Sequence, residues 1–385
     1  MALTEKGQNA LAKVKEFFPK GQFSAKDLSD ACGEKIMAAT LNGVANNGYI
    51  LKLGGTPVMY EAIDNLEEIY NEEMTKPKGC DNSNLTTAKR VKNDEFYTRY
   101  EDIEAEVMKY RKQFVDKIVY LPCDDPAEKK SEFWSFFVNN FDAFGLKKLI
   151  ATHYDENGKA YKIWLEDDVN NDGYIDDEDA MQEDLEGNGD FRSPECVNIL
   201  EECDIVVTNP PFSLFKEFLP LIAKYNKNFL IIGPLNATTY KEVFPLIKSG
   251  KMWSGYNNIK EFMTPDGGIQ KFGNVFWYTN MPNKNTTDFL ILTKEYNNVD
   301  YPKCDYYNAI YIDKVVNIPK DYKGCMAVPI SIFQGKYNPN QFEIIGNTES
   351  KDFVPEGYHN NEDPCGCVVG GVAKYKRLFI RNKSL

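Results

Sequence analysis

Four consecutive residues, Asn209-Pro210-Pro211-Phe212, carry groups suited to activating a planar amine. An exocyclic amine is a weak nucleophile, and two neutral acceptors that hold its N–H bonds favour a more nucleophilic, tetrahedral nitrogen. The Asn209 side-chain oxygen and the Pro210 carbonyl are such acceptors, and the two prolines fix them before reaction. Phe212 offers a flat face on which a ring can stack. The spacing therefore indicates methyl transfer to an amine, against the alternative of an ordinary loop containing two prolines.

The flanking sequence predicts a strand before this turn and a helix after it. Residues 205–207 are an apolar β-branched run, which is typical of a buried parallel strand. The prolines end the strand because they cannot donate to a sheet ladder. We expect Ser213 to cap a helix whose apolar residues recur at helical spacing. A turn at the carboxyl end of a central strand lies where open α/β sheets bind ligands.

Alternating strands and helices predict a doubly wound α/β sheet around this turn. Further strands are expected at residues 117–123, 148–154 and 228–233. Further helices are expected at residues 131–144, 196–203 and 239–248. Residues 274–278 and 289–293 are expected to form a late antiparallel pair. From about residue 297 the chain is aromatic and rich in Gly and Pro, which suits either a recognition appendage or the edge of the sheet.

Residues 1–74 are expected to form a separate module of three helices followed by a β-hairpin, which resembles a winged helix-turn-helix. Its first helix should bury Leu11, Val14, Phe17 and Phe18, and Ser24 should cap its second helix. The third helix carries a single basic residue, so contact with DNA and contact with a protein both remain open.

Breaker-rich composition divides the rest of the chain. Residues 75–92 are polar and aperiodic, which predicts a linker. Residues 93–300 are expected to form a catalytic domain with an acidic insert at 156–190. Residues 301–385 form a C-terminal part and a candidate target-recognition region.

The net charge of −13 argues at first against a nucleic-acid partner, but its distribution changes that argument. Residues 166–190 hold 12 acidic side chains and no Lys or Arg, so the remaining chain carries only about −1. A local basic groove is compatible with that balance. No apolar run is long enough to span a bilayer, and nine scattered cysteines indicate reduced thiols in a cytoplasm. We therefore expect no membrane partner.

The acidic insert contains the spacing of a calcium loop. Asp168, Asn170, Asp172, Tyr174 and Asp179 follow the ligand positions of an EF-hand, with a short Asp in place of the final Glu. Flanking helices are not obvious from the sequence. The segment therefore predicts either a structural calcium site or a solvated acidic loop.

Three motifs occur in the order found in one enzyme family. The three motifs are residues 93–98, the Asn-Pro-Pro-Phe turn and residues 328–346. On these motifs, residues of about 90–385 resemble the EcoRI-type adenine-specific DNA methyltransferases. The resemblance implies a Rossmann-like class I sheet that uses S-adenosylmethionine. It also implies methylation of the N6 amine of adenine in double-stranded DNA, by base flipping and direct transfer, and a cognate restriction endonuclease encoded elsewhere as a candidate partner. The N-terminal module is not covered.

The resemblance also implies roles for residues around the turn. Phe96, Tyr97 and Thr98 match the segment that contacts the methionine end of the cofactor. Pro122, Cys123 and Asp124 occupy the first strand-to-helix turn, where most methyltransferases carry a Gly-rich loop. Asp155 matches the acid that accepts from the ribose hydroxyls of the cofactor. Asp190 matches the acid that meets the adenine amine of the cofactor, and Phe191 matches the aromatic residue that packs on its adenine ring. Phe276, Trp277 or Tyr278 is expected to supply a second face for the extruded base.

Two alternatives stand beside this interpretation. Methyltransferases of a protein glutamine or of RNA also use Asn-Pro-Pro-aromatic turns, because an amide nitrogen poses the same chemical problem. A non-catalytic DNA-binding regulator of the same fold is the other alternative, although the intact turn at residues 209–212 argues against it.

Overall fold

The computed structural model describes residues 5–46, 49–55, 57–63, 66, 96–123, 132–156, 159–264, 267–349, 351–358 and 367–384. The chain divides into two compact units, Met1–Asp94 and Glu95–Leu385. The expected linker at 75–92 and the candidate cofactor residue Asp124 lie outside the described residues.

The first unit contains three helices and a three-stranded antiparallel sheet. In chain order these are α1 (Glu5–Phe17), β1 (Gln22–Ser24), α2 (Ala25–Cys32), α3 (Ala38–Asn46), β2 (Ile50–Gly54) and β3 (Met59–Ala62), with sheet order β1-β3-β2. The predicted cap is confirmed, since Ser24 accepts from the Asp27 amide and the Asp27 carboxylate accepts from the Ser24 amide. The winged-helix assignment of this module stays a prediction.

One residue of the first helix departs from its predicted position. Leu11 and Val14 are buried as expected, but the Phe17 side chain is 38% exposed. Phe18 lies just beyond α1 and stacks on Phe23 with 5.0 Å between ring centroids. The helix ends before Phe18, so Phe18 can turn into the core that Phe17 cannot reach.

The second unit is a mixed α/β structure. Its helices are α4 (Tyr100–Val107), α5 (Phe133–Asn139), α6 (Phe141–Phe144), α7 (Pro194–Glu202), α8 (Phe215–Lys224), α9 (Phe244–Lys248) and α10 (Lys284–Thr287). Its strands are β4 (Ile118–Leu121), β5 (Lys148–His153), β6 (Tyr161–Leu165), β7 (Met181–Asp184), β8 (Ile205–Thr208), β9 (Asn228–Pro234), β10 (Trp253–Met263), β11 (Ile269–Thr279), β12 (Ala309–Tyr311), β13 (Cys325–Pro329), β14 (Phe342–Asn347), β15 (Val368–Val369), β16 (Val372–Ala373) and β17 (Arg377–Asn382). Short 3₁₀ turns connect several of them.

Eight strands form the large sheet, in the order β10-β11-β9-β8-β4-β5-β6-β7. The four central strands β9, β8, β4 and β5 are parallel, and β11, β6 and β7 add antiparallel edges. The predicted βαβ unit around β4 and β5 is confirmed. The chain leaves β4 toward β5 and returns on its other side at β8, which makes the carboxyl ends of β4 and β8 a topological switch point.

The predicted strand at residues 289–293 is wrong. The run is not a strand, and β11 pairs instead with β10 and β9. Both backbone polar groups of Leu290 are bonded to the side-chain amide of Gln341, at 2.7 and 2.8 Å. A side chain from 51 residues later thus takes the place of a neighbouring strand.

Two helix starts also differ from their predictions. Ser213 does not cap α8, because the N-cap position is Leu214 and no side chain caps this end. The Leu214 amide bonds to the Pro211 carbonyl at 3.0 Å, so the turn itself satisfies the helix entry. The helix expected at 239–248 shortens to α9, in which Pro245 occupies the first turn, where its missing N–H costs nothing.

The C-terminal strands form a second sheet on the same core. Its order is β12-β13-β17-β14. Met326 of β13 and Ile380 of β17 belong to one buried cluster together with Val206 of β8 and Ile231 of β9. The C-terminal part is therefore packed as a continuation of the catalytic unit. Within the described part of the chain, no helix is long and apolar enough to cross a membrane.

Candidate active site

The Asn-Pro-Pro-Phe turn lies at the switch point of the large sheet. All four residues of β8 are buried, and the turn begins at Asn209 directly after this strand. The neighbouring strand β4 ends at Leu121 and is followed by Pro122 and Cys123. Because β4 and β8 are parallel neighbours, the two stretches emerge at the same edge of the sheet.

The orientation of the Asn209 side chain is fixed by a backbone group. Its Nδ2 donates to the Phe96 carbonyl at 2.5 Å. Its Oδ1 is buried and has no hydrogen-bond partner among the described residues. The turn thus presents an unpaired acceptor oxygen, which is the group that an amine substrate requires.

The segment that holds Asn209 is itself held by β10. Tyr97 and Met263 exchange two backbone hydrogen bonds, each 2.9 Å long. Phe96 and Tyr97 are half-buried, and Thr98 is buried. This pairing fixes the residue 96–98 segment beside the catalytic turn, although 113 residues separate Phe96 from Asn209 in sequence.

Two more buried oxygens lie in these stretches without a partner. The Oγ1 atoms of Thr98 and Thr208 have no hydrogen bond to any described residue. Thr208 precedes Asn209, and Thr98 follows Phe96 by two residues. Buried hydroxyls are almost always paired, so this group of orphaned oxygens fits a site built for a polar ligand.

Four phenylalanines form an aromatic cluster at the turn. Phe212 lies 6.1, 6.3 and 6.2 Å, centroid to centroid, from Phe96, Phe262 and Phe272. Sequence reasoning missed Phe262 and Phe272, which belong to the β10–β11 hairpin. The signal for this hairpin was the Gly267-Gly268 pair between two β-prone stretches.

The three aromatic residues expected to face the extruded base lie in the core instead. Phe276, Trp277 and Tyr278 are at most 1% exposed. Tyr278 packs against Phe276 and Phe333, and its hydroxyl donates to the Pro234 carbonyl at 2.8 Å. The ring neighbours of Phe212 are therefore supplied by Phe96, Phe262 and Phe272.

The structure brings the candidate residues Asp155 and Asp190 into one region. The Asp155 amide donates to the Asn188 carbonyl at 3.0 Å, which joins the end of β5 to the stretch before Asp190. Gly189 lies between them with φ of 75°, and a Cβ there would collide with the His153 carbonyl. Only glycine permits this close approach.

Asp190 is paired with a cation two residues later. Its Oδ1 accepts from the Arg192 amide at 2.8 Å and from Nε at 2.9 Å, and its Oδ2 accepts from Nη2 at 2.6 Å. The Arg192 guanidinium lowers the pKa of the Asp190 carboxyl, so this group stays an ionised acceptor. A carboxylate has about four lone-pair positions, which leaves one on Oδ2 for a ligand N–H.

The other candidate cofactor residues, Phe191, Pro122 and Cys123, are buried or half-buried. The Phe191 ring is 7% exposed and meets Phe218 edge-on at 5.0 Å. Pro122 is buried, and its carbonyl accepts from the Thr152 hydroxyl at 3.4 Å. Cys123 is half-buried at the end of the β4 turn.

The structure does not support the predicted calcium site. Among the described residues, no group of three or more acidic, His or Cys side chains converges to hold a metal ion. The acids bind the loop's own backbone instead: Asp168 accepts from the amides of Asp172 and Gly173, and Asp179 accepts from those of Val169 and Asn170. Asn170 and Asp172 likewise cap the amides of Asp172 and Tyr174. The calcium spacing is therefore used to fold an acidic loop.

A model of the family described as adenine-specific methyltransferase EcoRI matches residues 84–383. The chain belongs to this family. It is 39% identical over 336 residues to the type II methyltransferase M.EcoRI of Escherichia coli, covering 80% of this chain and 99% of the relative. It is 39% identical to M.MpnI of Mycoplasma pneumoniae and 38% identical to M.MgeORF184P of Mycoplasma genitalium, each over 279 residues and 67% of this chain, covering 83% and 84% of those relatives. No solved structure was found to match.

Membership of this family decides between the functions left open by the sequence. It assigns methylation of adenine in DNA, and with it S-adenosylmethionine as methyl donor, over methylation of a protein glutamine or of RNA and over a non-catalytic regulator. The matched range begins at residue 84, after the first module.

Proposed function

We propose that this chain is a site-specific DNA methyltransferase that transfers the methyl group of S-adenosylmethionine to the N6 amine of adenine in duplex DNA. The three relatives named type II methyltransferases support this activity. The single observation that carries it is the buried Oδ1 of Asn209, which has no hydrogen-bond partner in the described part of the chain.

Asn209 and Pro210 act as the acceptors for the amine. Asn209 Oδ1 holds one N–H bond and the Pro210 carbonyl holds the other, which draws electron density onto the nitrogen. The hydrogen bond to Phe96 keeps the amide from turning its nitrogen toward the substrate. The acceptors therefore need no reorganisation during the reaction, and removal of one such group typically costs about 10²–10³ in kcat.

Phe212 acts as the stacking surface for the flipped adenine. The rings of Phe262 and Phe272 are nearly perpendicular to it, at interplanar angles of 86° and 82°. Unstacking the adenine from the duplex costs a few kcal/mol, which contacts in the pocket offset. The surrounding rings also exclude water from the turn.

The residues around the switch point fit the cofactor. Thr98 Oγ1 and Thr208 Oγ1, which no described residue pairs, offer polar atoms for the methionine end, together with Phe96 and Tyr97. Asp155 serves the ribose hydroxyls, and the remaining lone pair of Asp190 accepts from the adenine amine. When bound, S-adenosylmethionine supplies an electrophilic sulfonium methyl group. The proton lost by the methylated amine passes to solvent.

The architecture supports a Rossmann-like class I methyltransferase sheet. Ligand-binding stretches follow β4, β5 and β8 at their carboxyl ends, as the switch-point rule requires. The absence of glycine after β4 is compatible with this cofactor, because its sulfonium end has no phosphate for a Gly-rich loop to bind. The described residues of that turn are Pro122 and Cys123, and Asp124 follows them in sequence.

The family also bears on the partner and the cellular compartment of the enzyme. A cognate restriction endonuclease is the partner that a type II methyltransferase implies. The seven described cysteines are free thiols, in accord with a reducing cytoplasm. Residues 1–74 and 301–385 remain candidates for DNA contact and target recognition.

The test is methyl transfer from labelled S-adenosylmethionine to unmethylated genomic duplex DNA, followed by sequencing that detects modified bases. N6-methyladenine at one recurrent short sequence is the expected result, with Asn209→Ala as the inactive control. Methylation of RNA or protein without DNA would contradict the proposal, and so would full activity of Asn209→Ala.

A further inference from the structure

An open cavity is lined by residues of the β10–β11 hairpin. Its volume is about 400 Å³, within the range typical of ligand pockets. It lies between β10, β11 and the residue that follows the 3₁₀ turn Ile330–Phe333. The lining residues that matter here are Asn258, Lys260, Glu261, Lys271, Phe272 and Gln334, and we call the cavity the Gln334 pocket.

A register shift between two strands creates this pocket. Ile259 pairs with Val275 and Glu261 pairs with Lys271, so β11 carries two more residues than β10 across the same interval. Such bulges re-aim side chains and are frequent beside active sites. A Cβ at Gly273, within the bulge, would meet no atom within 4 Å, which shows that the space in front of it is open.

Three polar side chains at the pocket have no partner among the residues that the structure describes. No described residue forms a hydrogen bond or an ion pair with the side chains of Asn258, Lys260 or Gln334. Glu261, in contrast, is bound by Arg99 at 3.0 Å and by Lys271 at 3.2 Å. The pocket therefore offers two free amides and one free ammonium beside a carboxylate that is already neutralised.

The free groups match the chemistry of a nucleotide. An Asn or Gln amide presents a donor and an acceptor in one plane, which is the arrangement that reads a base edge. The exposed ammonium of Lys260 suits a phosphate. A phosphate beside Glu261 would be repelled only weakly, because Arg99 and Lys271 balance its charge.

One ring separates the pocket from the catalytic turn. Phe272 forms a wall of the pocket and meets Phe96 edge-on at 4.8 Å. Phe96 in turn holds Asn209 through its carbonyl. Asn209 does not line the pocket, so a base seated there is not the one being methylated.

We propose that the Gln334 pocket receives a base of the recognition sequence adjacent to the target adenine. Gln334 and Asn258 read the edge of that base, and Lys260 contacts a neighbouring phosphate. This inference rests on the proposed function, because it requires DNA as the substrate. It assigns part of sequence specificity to the β10–β11 hairpin and to the segment around Gln334.

The experiment compares wild type with Gln334→Ala and Asn258→Ala. Each enzyme is given the duplex sequence that the wild type methylates and every single-base replacement of it. We expect discrimination at one position beside the adenine to fall by about tenfold to a hundredfold, with S-adenosylmethionine affinity within about twofold of wild type. Lys260→Ala should weaken binding to all sequences and lower the salt slope by about one. Gln182→Ala, on β7 at the opposite edge of the sheet, is the matched control.

The outcomes separate this inference from the proposed function. Unchanged discrimination at every position in both amide variants would overturn the assignment of the pocket. A fall in kcat with discrimination intact would overturn it too, because it would place the target adenine there. A wild-type protein that methylates no DNA would overturn the proposed function itself, and this inference with it.

Discussion

The Asn209 amide nitrogen donates to the backbone carbonyl of Phe96 at 2.5 Å, and its oxygen is left buried without a partner in the described chain. One bond thus sets the orientation of the whole amide. Leaving a buried acceptor unpaired costs about 1–3 kcal/mol, and an arriving amine removes that cost. The segment before the large sheet therefore prepares the catalytic turn for its substrate.

Asn209→Asp tests this orientation while keeping the size of the side chain. A carboxylate has no hydrogen to give Phe96, so two acceptors would face each other and the side chain would rotate. We expect kcat to fall by about 10²–10³, with S-adenosylmethionine affinity within about threefold of wild type. Single-turnover methylation and calorimetric titration measure the two quantities. Asn139→Asp, exposed on α5, is the control, and a variant retaining a tenth of the wild-type kcat would contradict the role of the bond.

The central strands could be predicted from the sequence because strands that are buried on both faces consist of continuous apolar runs. Every residue of β8 is buried, as a parallel strand covered on both faces requires. The catalytic turn was visible for the same reason, since prolines must end such a strand. Local composition was sufficient wherever the decisive interaction lies within a few residues.

Features that depend on distant partners could not be predicted. The apolar run 289–293 has strand composition, but Gln341 satisfies Leu290 from 51 residues away. The carbonyl that orients Asn209 is 113 residues earlier in the chain. The calcium-like spacing did not predict the structure of the acidic loop, because the same carboxylates can either bind an ion or accept hydrogen bonds from the amides of their own loop. The spacing is the same in both cases.

The Glu106 carboxylate binds the backbone of a bulge in β10, and its contribution to stability can be tested. The side chain is fully buried and accepts from the amides of Tyr256 and Asn257 at 2.7 and 2.8 Å, from Asn257 Nδ2 at 2.9 Å and from the Tyr110 hydroxyl at 3.2 Å. Gly255 is required beside it, because a Cβ there would collide with the carboxylate.

Glu106→Gln should destabilise the catalytic unit by about 2–4 kcal/mol, because the new amide NH₂ faces a donor and leaves it buried without a partner. The urea midpoint should fall while the slope of the transition stays constant. Glu104→Gln on the exposed face of the same helix should change stability by less than about 0.5 kcal/mol. Equal midpoints for the two variants would show that the carboxylate does not hold the bulge.

The ion pair between Asp190 and Arg192 predicts a pH dependence. The guanidinium lowers the pKa of the folded Asp190 carboxyl, so the folded state binds fewer protons than the unfolded state. The pair therefore stabilises the protein above the unfolded pKa of about 3.9, and this contribution is lost as pH falls through the lower folded pKa.

Arg192→Met should accordingly lower the free energy of unfolding at pH 6 by less than about 1 kcal/mol, because solvent screens a pair in which Arg192 is 48% exposed. The difference from wild type should shrink toward pH 3. Urea unfolding at a series of pH values measures it, with Arg192→Met in an Asp190→Asn background as the control. A difference that persists unchanged at pH 3 would assign it to lost packing of Arg192 on Phe191 rather than to charge.

Removal of residues 1–74 should leave a folded, cofactor-binding enzyme core. The catalytic turn, Phe96 and the C-terminal sheet all belong to the second compact unit, and the cluster that joins Tyr120 to Ile380 contains no residue of the first unit. The shortened chain should therefore unfold in one cooperative transition and bind S-adenosylmethionine within about threefold of the full chain. If residues 1–74 contribute to DNA binding, its KM for DNA should rise while kcat stays constant. An insoluble shortened chain, or one that no longer binds the cofactor, would mean that the first module completes the fold of the second.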